Sequence, residues 1–392
     1  MELYKFIITV YTEKSILFWK FYIKNDKIEP QKGRACTMKY KNYHEQKDAE
    51  NIQRLREVLT TLPSFVSDFF RAKEMSMATT TRISYGYDIR IFFRFLVEKN
   101  PLFKNYKTTD FTYEDLDKIS TVDIEEYKEY LKLYQREEEQ GEIDITNGER
   151  GMKRKLSAVR SLFNYLYRYE LIKNNPVVLV DRPKLHEKAI IRLEPDETAR
   201  LLDFIEHGGD ELTGQKKVYY EKTKERDLAI VTLLLGTGIR VSECVGLDVT
   251  DIDFNTNGIR VIRKGGSEMI VYFGDEVEKA LKDYINGSRK LVNPQEGHEK
   301  ALFYSTQRRR IGVKAVENLV KKYSRQVTPL KKITPHKLRS TYGTTLYQET
   351  GDIYLVADVL GHKDVNTTRK HYAAQDESRR RSAANVVKLR KE

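Results

Sequence analysis

Four residues near the carboxyl end of the chain carry side chains suited to holding and attacking a phosphodiester. They are His336, Arg339, His362 and Tyr372. An Arg guanidinium presents a planar fork of donors that matches phosphate oxygens two at a time. A His can take a proton from an attacking hydroxyl near neutral pH, and an activated Tyr phenol can act as a covalent nucleophile. Together they indicate phosphodiester chemistry, whereas singly they also fit a helix-surface pair and a packing aromatic.

Three predicted helices position these side chains. Pro335 suits the first turn of a helix that carries His336 and Arg339, three residues apart, on one face. A second helix should stop at Gly361, a residue type common at helix ends, so His362 lies on the turn just past it. A third helix, which starts a few residues later, carries the tyrosine about one turn in.

This joint spacing resembles the carboxyl-terminal signature of the tyrosine recombinases, which include phage-type integrases and Xer-like resolvases. The family's first arginine lies at the start of a helix after a glycine-bearing turn. The segment LGTGIRVSE matches it, with Arg240 in that position and Glu243 one turn later. The family's lysine lies on a β-hairpin. The alternating segment IRVIRKGGS breaks at a Gly-Gly turn signal and places Lys264 there.

The resemblance implies that DNA strands are cleaved one at a time by transesterification, with a 3′-phosphotyrosine at Tyr372 and a free 5′-hydroxyl. It implies no ATP, no metal and no other cofactor. The implied roles are phosphate contact for Arg240 and Arg339, proton donation to the leaving oxygen for Lys264, base catalysis for His336, a further phosphate contact for His362, and orientation of neighbouring groups by Glu243.

One spacing departs from the family pattern. His362 and Tyr372 are ten residues apart, one more than in many relatives. The chain has no other tyrosine between His362 and its last residue, so the assignment of the nucleophile stands. His371, directly before it, is interpreted as structural.

The composition indicates a polyanionic partner. The chain has 70 Lys and Arg against 58 Asp and Glu, a net charge of +12 and a pI near 9.2, which suits nucleic acid first and an anionic membrane second. Cys36 and Cys244 are too few for a disulfide framework or a zinc site and fit a reducing cytoplasm. No apolar run is long enough to predict a membrane span.

The apolar patterns predict a mainly α (α+β) fold. The resemblance implies that this fold comprises a helical core-binding domain and a mixed helical catalytic domain with a small three-stranded antiparallel sheet. The predicted divisions are an N-terminal extension of uncertain role at 1–60, the helical domain at 61–176, a linker at 177–189, and the catalytic domain with its tail at 190–392. Exposed loops are expected at 137–150 and 207–227.

Several basic residues are candidate DNA contacts, because phosphate contacts position a protein on DNA without reading its sequence. A solvated surface is the alternative interpretation for each of them. The candidates are Lys153, Arg154, Lys155, Arg160, Arg308, Arg309, Arg310, Lys331 and Lys332.

The resemblance implies a site-specific recombinase that acts on a specific duplex site as a homo-tetramer on synapsed DNA, with a possible DNA-bending or directionality factor. The cysteine usage predicts a cytoplasmic location. The extra N-terminal residues favour integration and excision of a mobile element or phage. The alternatives are Xer-like dimer resolution, a type IB topoisomerase and a catalytically inactive accessory protein. The apolar residues of the tail, 384–392, suggest docking on a neighbouring protomer.

Overall fold

The computed structural model describes residues 42–138, 141–181, 183, 190–263, 265–362 and 364–369. The predictions for the first 41 residues, most of the linker, Lys264, His371, Tyr372 and the tail therefore lie outside the described residues. The helices, in chain order, are α1 Tyr43–Leu59, α2 Ser64–Ala72, α3 Thr79–Lys99, α4 Tyr113–Asp117, α5 Thr121–Tyr130, α6 Glu149–Arg168, α7 Pro195–His207, α8 Gly214–Thr237, α9 Val241–Gly246, α10 Asp275–Asn286, α11 Val313–Val327, α12 Pro335–Thr350, α13 Ile353–Leu360 and α14 Val365–Thr368.

Helices α1–α6 share one hydrophobic core. An apolar stripe on α3 faces this core, since Ile89, Phe92, Phe93 and Leu96 are fully buried. The stripe on α6 is likewise buried and packs into the same core. Helix α1 lies in the range assigned to the N-terminal extension, yet its Leu55 joins this core. We therefore propose that the helical domain begins with α1.

The prediction of an exposed loop at 137–150 is wrong. Strand β1, Leu133–Glu138, pairs antiparallel with β2, Gly141–Thr146, and α6 begins at Glu149. The hairpin is joined to the core because Tyr134 is buried and Ile145 packs against the cluster. The hairpin is rich in acidic residues, and the single alternating run Ile143–Asp144–Ile145 is too short to mark a strand in the sequence.

The loop expected at 207–227 is also largely helical, because α8 begins at Gly214. Its first half is polar and mostly exposed, but Tyr220 is buried and its hydroxyl donates to the Ile205 carbonyl at 2.8 Å. This contact ties the polar half of α8 to α7. A solvent-facing helix with few apolar residues carries little periodic signal, which explains the error.

The second half of the described chain is organised around α8, which packs against α7, α10 and α12. Beside these helices lies the predicted three-stranded antiparallel sheet. It consists of β3 Ile252–Asp253, β4 Gly258–Ile262 and β5 Glu268–Tyr272, in that order. Within the described part of the chain, no helix combines the length and apolar character that crossing a bilayer requires.

A buried ion pair between α3 and α6 gives a pH-dependent prediction. Asp88 is 1% exposed and accepts a hydrogen bond from Arg154, whose side chain is 47% exposed. Burial raises the pKa of Asp88 to about 6 despite the arginine. Because the folded pKa exceeds the unfolded value, this group's contribution to stability declines as the pH rises from about 4 to about 6.

Asp88→Asn should therefore remove one component of the pH dependence of Tm in that range. Melting curves of both proteins between about pH 4 and pH 7 measure the difference directly. The Tm difference between wild type and variant should change across the range as the aspartate ionises. A constant difference would show that Asp88 keeps the same protonation state in the folded and unfolded chains.

Candidate active site at the carboxyl end of helix α13

Arg240 is held by a carboxylate at the start of α9. The preceding Gly238 ends α8 with a φ of 62°, and a Cβ there would lie 2.4 Å from the Tyr342 ring, so the turn requires glycine. Glu243 is 3% exposed and accepts from the Arg240 backbone N–H and from its Nη1, both at 2.8 Å. The carboxylate therefore caps α9 and orients the guanidinium at once.

Arg339 lies on α12, as the sequence predicted, but its side chain is turned into the protein. The residue is 3% exposed. Its Nη1 donates to the Gly238 carbonyl at 2.6 Å and its Nη2 donates to the Leu360 carbonyl. His336, one turn earlier on the same helix, is exposed. Arg339 thus joins the glycine turn before Arg240 to the end of α13.

His362 lies directly after the end of α13, as predicted. Gly361 ends the helix with a φ of 62°, and the His362 backbone N–H donates to the Ala357 carbonyl at 2.9 Å. The His362 Nδ1 lies 2.8 Å from the Thr368 hydroxyl on α14, and Thr368 is fully buried. This bond fixes the imidazole ring against the short helix that precedes Tyr372 in the sequence.

The last carbonyls of α13 are the point at which these groups converge. Leu360 accepts from Arg339 and Gly361 accepts from the Arg240 Nη2 at 3.4 Å. A third guanidinium, that of Arg263, donates to the carbonyls of Val359 and Leu360, both at 2.9 Å. Since a helix ends with unpaired carbonyls and a partial negative charge, three cations there are electrostatically favourable.

Arg263 is the site residue that the sequence reasoning missed. It follows β4, in which Ile259 and Val261 are buried and Arg260 is exposed. With a period of two, Arg263 falls on the buried face. The sequence does contain a signal for this residue, because an arginine occupies a position where the alternating pattern of the strand predicts an apolar side chain.

Three of the basic candidates on α6 make contacts within the protein. Arg154 pairs with Asp88. Lys155 is 6% exposed and donates to the Asn147 side chain at 2.8 Å. Arg160 donates to the carbonyls of Val177 and Val180 at 2.8 and 2.7 Å, which holds the first predicted linker residues against α6. Lys153 is half-buried.

The basic candidates in the second half of the chain also include residues that make contacts within the protein. Arg310 donates to the Leu247 carbonyl at 2.7 Å and pairs with Asp248. Lys331 donates to Glu197 at 2.6 Å. Arg309 donates to Gln295 at 2.6 Å but remains exposed, as do Arg308 and Lys332. Contact with DNA stays a prediction for all of these basic residues.

Residues 192–379 match the model of the Phage integrase family. The tyrosine recombinase XerC of Caldanaerobacter subterraneus subsp. tengcongensis is 34% identical over 339 residues, which cover 84% of this chain and 87% of XerC. The chain belongs to the tyrosine recombinase family. The tyrosine recombinase XerS of Streptococcus equi subsp. equi is 30% identical over 344 residues, covering 81% of this chain and 93% of XerS.

Solved recombinase structures share the fold. The XerH site-specific recombinase in a post-cleavage complex with palindromic difH substrate has a TM-score of 0.59 and 18% identity, over 89% of this chain and 90% of XerH. The Tn1549 transposon integrase bound to a circular intermediate DNA has a TM-score of 0.56 and 19% identity, over 81% of this chain and 98% of the integrase chain. The predicted fold class and the prediction of a tyrosine-type recombinase are therefore confirmed.

The packing around Gly361 gives a mutational prediction. A Cβ at this position would lie 2.9 Å from Arg263 Cζ, and a φ of 62° costs a side-chain-bearing residue roughly 1–2 kcal/mol. Gly361→Ala should therefore lower Tm and, by displacing His362, lower the rate of DNA cleavage. Gly351, which ends α12 with a φ of 72°, provides the matched control for backbone strain alone. Equal cleavage rates for Gly361→Ala and Gly351→Ala would contradict the importance of the Arg263 contact.

Proposed function

We propose that this chain cuts and rejoins DNA strands at a specific duplex site, using Tyr372 as the nucleophile. The observation that carries the proposal is the convergence of Arg240, Arg339 and His362 on the end of α13. These residues lie far apart in the sequence and match the family positions that the motifs predicted. Cations fixed in advance around a phosphate stabilise the charge that develops in the transition state.

The proposed roles follow from the exposure of each group. The Arg240 side chain is 34% exposed, so it is the guanidinium most accessible to a phosphate oxygen. Arg339 would support the same phosphate from the buried side of the site. If the Thr368 hydroxyl donates to His362 Nδ1, the Nε2 of that ring carries the proton and donates to the phosphate.

Proton transfer completes the proposed reaction. The exposed His336 would accept the proton of the Tyr372 phenol as its oxygen bonds to phosphorus. Lys264 would donate a proton to the 5′-oxygen as the bond between phosphorus and that oxygen breaks. The phosphotyrosine conserves the bond energy, so attack by a 5′-hydroxyl rejoins the strand without ATP.

The substrate range distinguishes a recombinase from a type IB topoisomerase. Purified protein would be mixed with labelled duplexes tiled across the flanks of its own gene, and with unrelated duplexes of matched length. Covalent adducts confined to a short region of the flanks, together with strand exchange between two copies of it, are the expected result. Adducts of equal yield on all duplexes would favour the topoisomerase, and salt-sensitive binding without adducts would favour an inactive DNA-binding protein.

We propose a homo-tetramer on two synapsed sites, in the cytoplasm, with a possible accessory DNA-bending or directionality factor. Exchange between two duplexes requires four strand cleavages, and each protomer supplies one tyrosine. Light scattering of the protein with and without its site, and with the Tyr372→Phe variant to block turnover, would measure the assembly. A complex that remains at one protomer per duplex would contradict the tetramer.

Two cellular roles are supported by different observations. The N-terminal residues that precede the helical domain favour integration and excision of a mobile element. Similarity to XerC and XerS over most of each relative favours dimer resolution instead. Deletion of the gene separates them. Loss of a circular DNA junction detected by outward-facing primers would support the first, and accumulation of chromosome or plasmid dimers would support the second.

A further inference from the structure

The guanidinium of Arg263 is buried where a sheet meets a helix end. The residue is 7% exposed, and its two Nη atoms each donate at 2.9 Å to a carbonyl of the last turn of α13. Its Nη1 also lies 3.5 Å from Glu243 Oε2, the carboxylate that holds Arg240. Arg263 therefore contacts the two structures that position Arg240 and His362.

An apolar residue would be the ordinary occupant of this position. Burying a guanidinium costs free energy that a shared carboxylate repays only in part, and burial lowers the pKa of Arg263 below its usual value. The Nε of Arg263 is buried without a hydrogen-bond partner among the described residues. The fold thus retains a costly side chain where Val or Ile would pack, which indicates a requirement for its directional bonds.

The backbone of Arg263 closes the turn between β4 and β5, in whose sequence Lys264 is the next residue. Its N–H donates to the Ser267 carbonyl at 2.8 Å, and its carbonyl accepts from the Gly266 N–H at 3.0 Å. The two turn glycines have φ values of 101° and 86°, which side-chain-bearing residues rarely adopt. A single residue therefore fixes the base of the turn between β4 and β5 through its backbone and contacts the end of α13, just before His362, through its side chain.

We propose that Arg263 is a positioning residue that sets the Lys264 turn against the end of α13, so that proton donor and phosphate-binding groups act on one phosphodiester. This inference rests on the proposed role of Lys264 as the proton donor. Without the Arg263 bonds, the hairpin keeps its strands but loses its link to α13. Proton donation should then suffer more than phosphate binding.

The chemistry of the leaving group provides a test that a purely structural role would not pass. In a 5′-bridging phosphorothiolate duplex, sulfur replaces the leaving oxygen and departs as a thiolate, which needs no proton because thiols are far more acidic than alcohols. A well-placed general acid contributes about 10²–10⁴-fold to a rate. Single-turnover cleavage would be measured on matched oxygen and sulfur duplexes for Lys264→Ala, Arg263→Met and Arg263→Lys.

The matched control is Arg260→Met. Arg260 is a neighbour on the opposite face of β4 and pairs with Asp251 at 2.7 Å. The expected result is that Arg263→Met loses about 10²-fold on the oxygen duplex and recovers to within about 10-fold of wild type on the sulfur duplex, as a general acid's contribution requires. Lys264→Ala should behave in the same way, Arg263→Lys should lie between, and Arg260→Met should match wild type on both duplexes.

Other outcomes overturn the inference in distinguishable ways. Equal losses on both duplexes by folded Arg263→Met would show that Arg263 only stabilises the structure. If Arg263→Met does not fold, Arg263→Lys, which keeps the charge but loses the fork, decides by the same comparison. Wild-type rates for Lys264→Ala would remove the proton donor and the inference with it. Absence of any cleavage by wild-type protein would instead refute the proposed function.

Discussion

Replacing Arg240 with Ala should lower the single-turnover rate of DNA cleavage by about 10²–10³-fold, because the loss of one preorganised charge donor typically costs that much. The Arg240 guanidinium is the accessible one of the three at the end of α13, and Glu243 holds it in place before DNA binds. Since other basic residues are predicted to contact the backbone of a bound duplex, affinity for DNA should change only a few-fold.

Two control variants test whether the effect is specific to the Arg240 guanidinium. Arg240→Lys keeps the charge but loses the planar fork, so its rate should lie between those of wild type and Arg240→Ala. Arg200→Ala removes an exposed arginine that pairs with Asp196 on the surface of α7 and should leave the rate unchanged. If Arg240→Ala instead lowered affinity for DNA with no change in the rate of the bound complex, Arg240 would be a binding residue only.

Glu243→Ala should strongly lower the thermal stability of the chain. Glu243 is buried between Arg240 and Arg263, at 2.8 and 3.5 Å, and also caps α9. Removing one partner of a buried ion pair costs about 3–5 kcal/mol, which corresponds to a fall in Tm of roughly 10 °C for a unit of this size. Cleavage should fall as well, because Arg240 loses its orientation.

Calorimetry of Glu243→Ala, Glu243→Gln and Glu278→Ala would test this prediction. The Gln variant keeps a side-chain oxygen for the α9 cap and should lose less than the Ala variant. Glu278 is half-buried on α10, where it pairs with Lys282 and accepts from the Asn257 side chain at 3.2 Å, so its replacement should shift Tm by only a few degrees, about 2 to 4 °C. A shift that small for Glu243→Ala would mean that the buried arginines do not depend on it.

The sequence was most informative where function constrains a motif. Pro335 and Gly361 fixed the two helix ends that place His336 and His362, and both boundaries match the structure. The glycine turn before Arg240 was equally legible, because a left-handed backbone and the nearby Tyr342 ring exclude other residues at Gly238. Such positions are set by local sterics, which a sequence records directly.

Long-range contacts could not be predicted from the sequence in the same way. Nothing in the spacing showed that Arg263 would reach the end of α13, about a hundred residues along the chain, or that Lys331 would pair with Glu197. The acidic hairpin at β1 and β2 was also missed, because its core contacts come from only a few side chains. Basic residues look alike in a sequence, and only the fold separates those that hold the protein together from those that face outward.

A covalent trapping experiment tests directly whether Tyr372 is the nucleophile. Wild-type protein and Tyr372→Phe would be incubated with a duplex carrying the identified site, nicked beside the scissile phosphate so that the short product diffuses away. An SDS-resistant, protease-sensitive adduct on the 3′ end of the cleaved strand is expected for wild type only, with equal DNA binding by both proteins. An adduct that persists in Tyr372→Phe, or one on the 5′ end, would contradict this role of Tyr372.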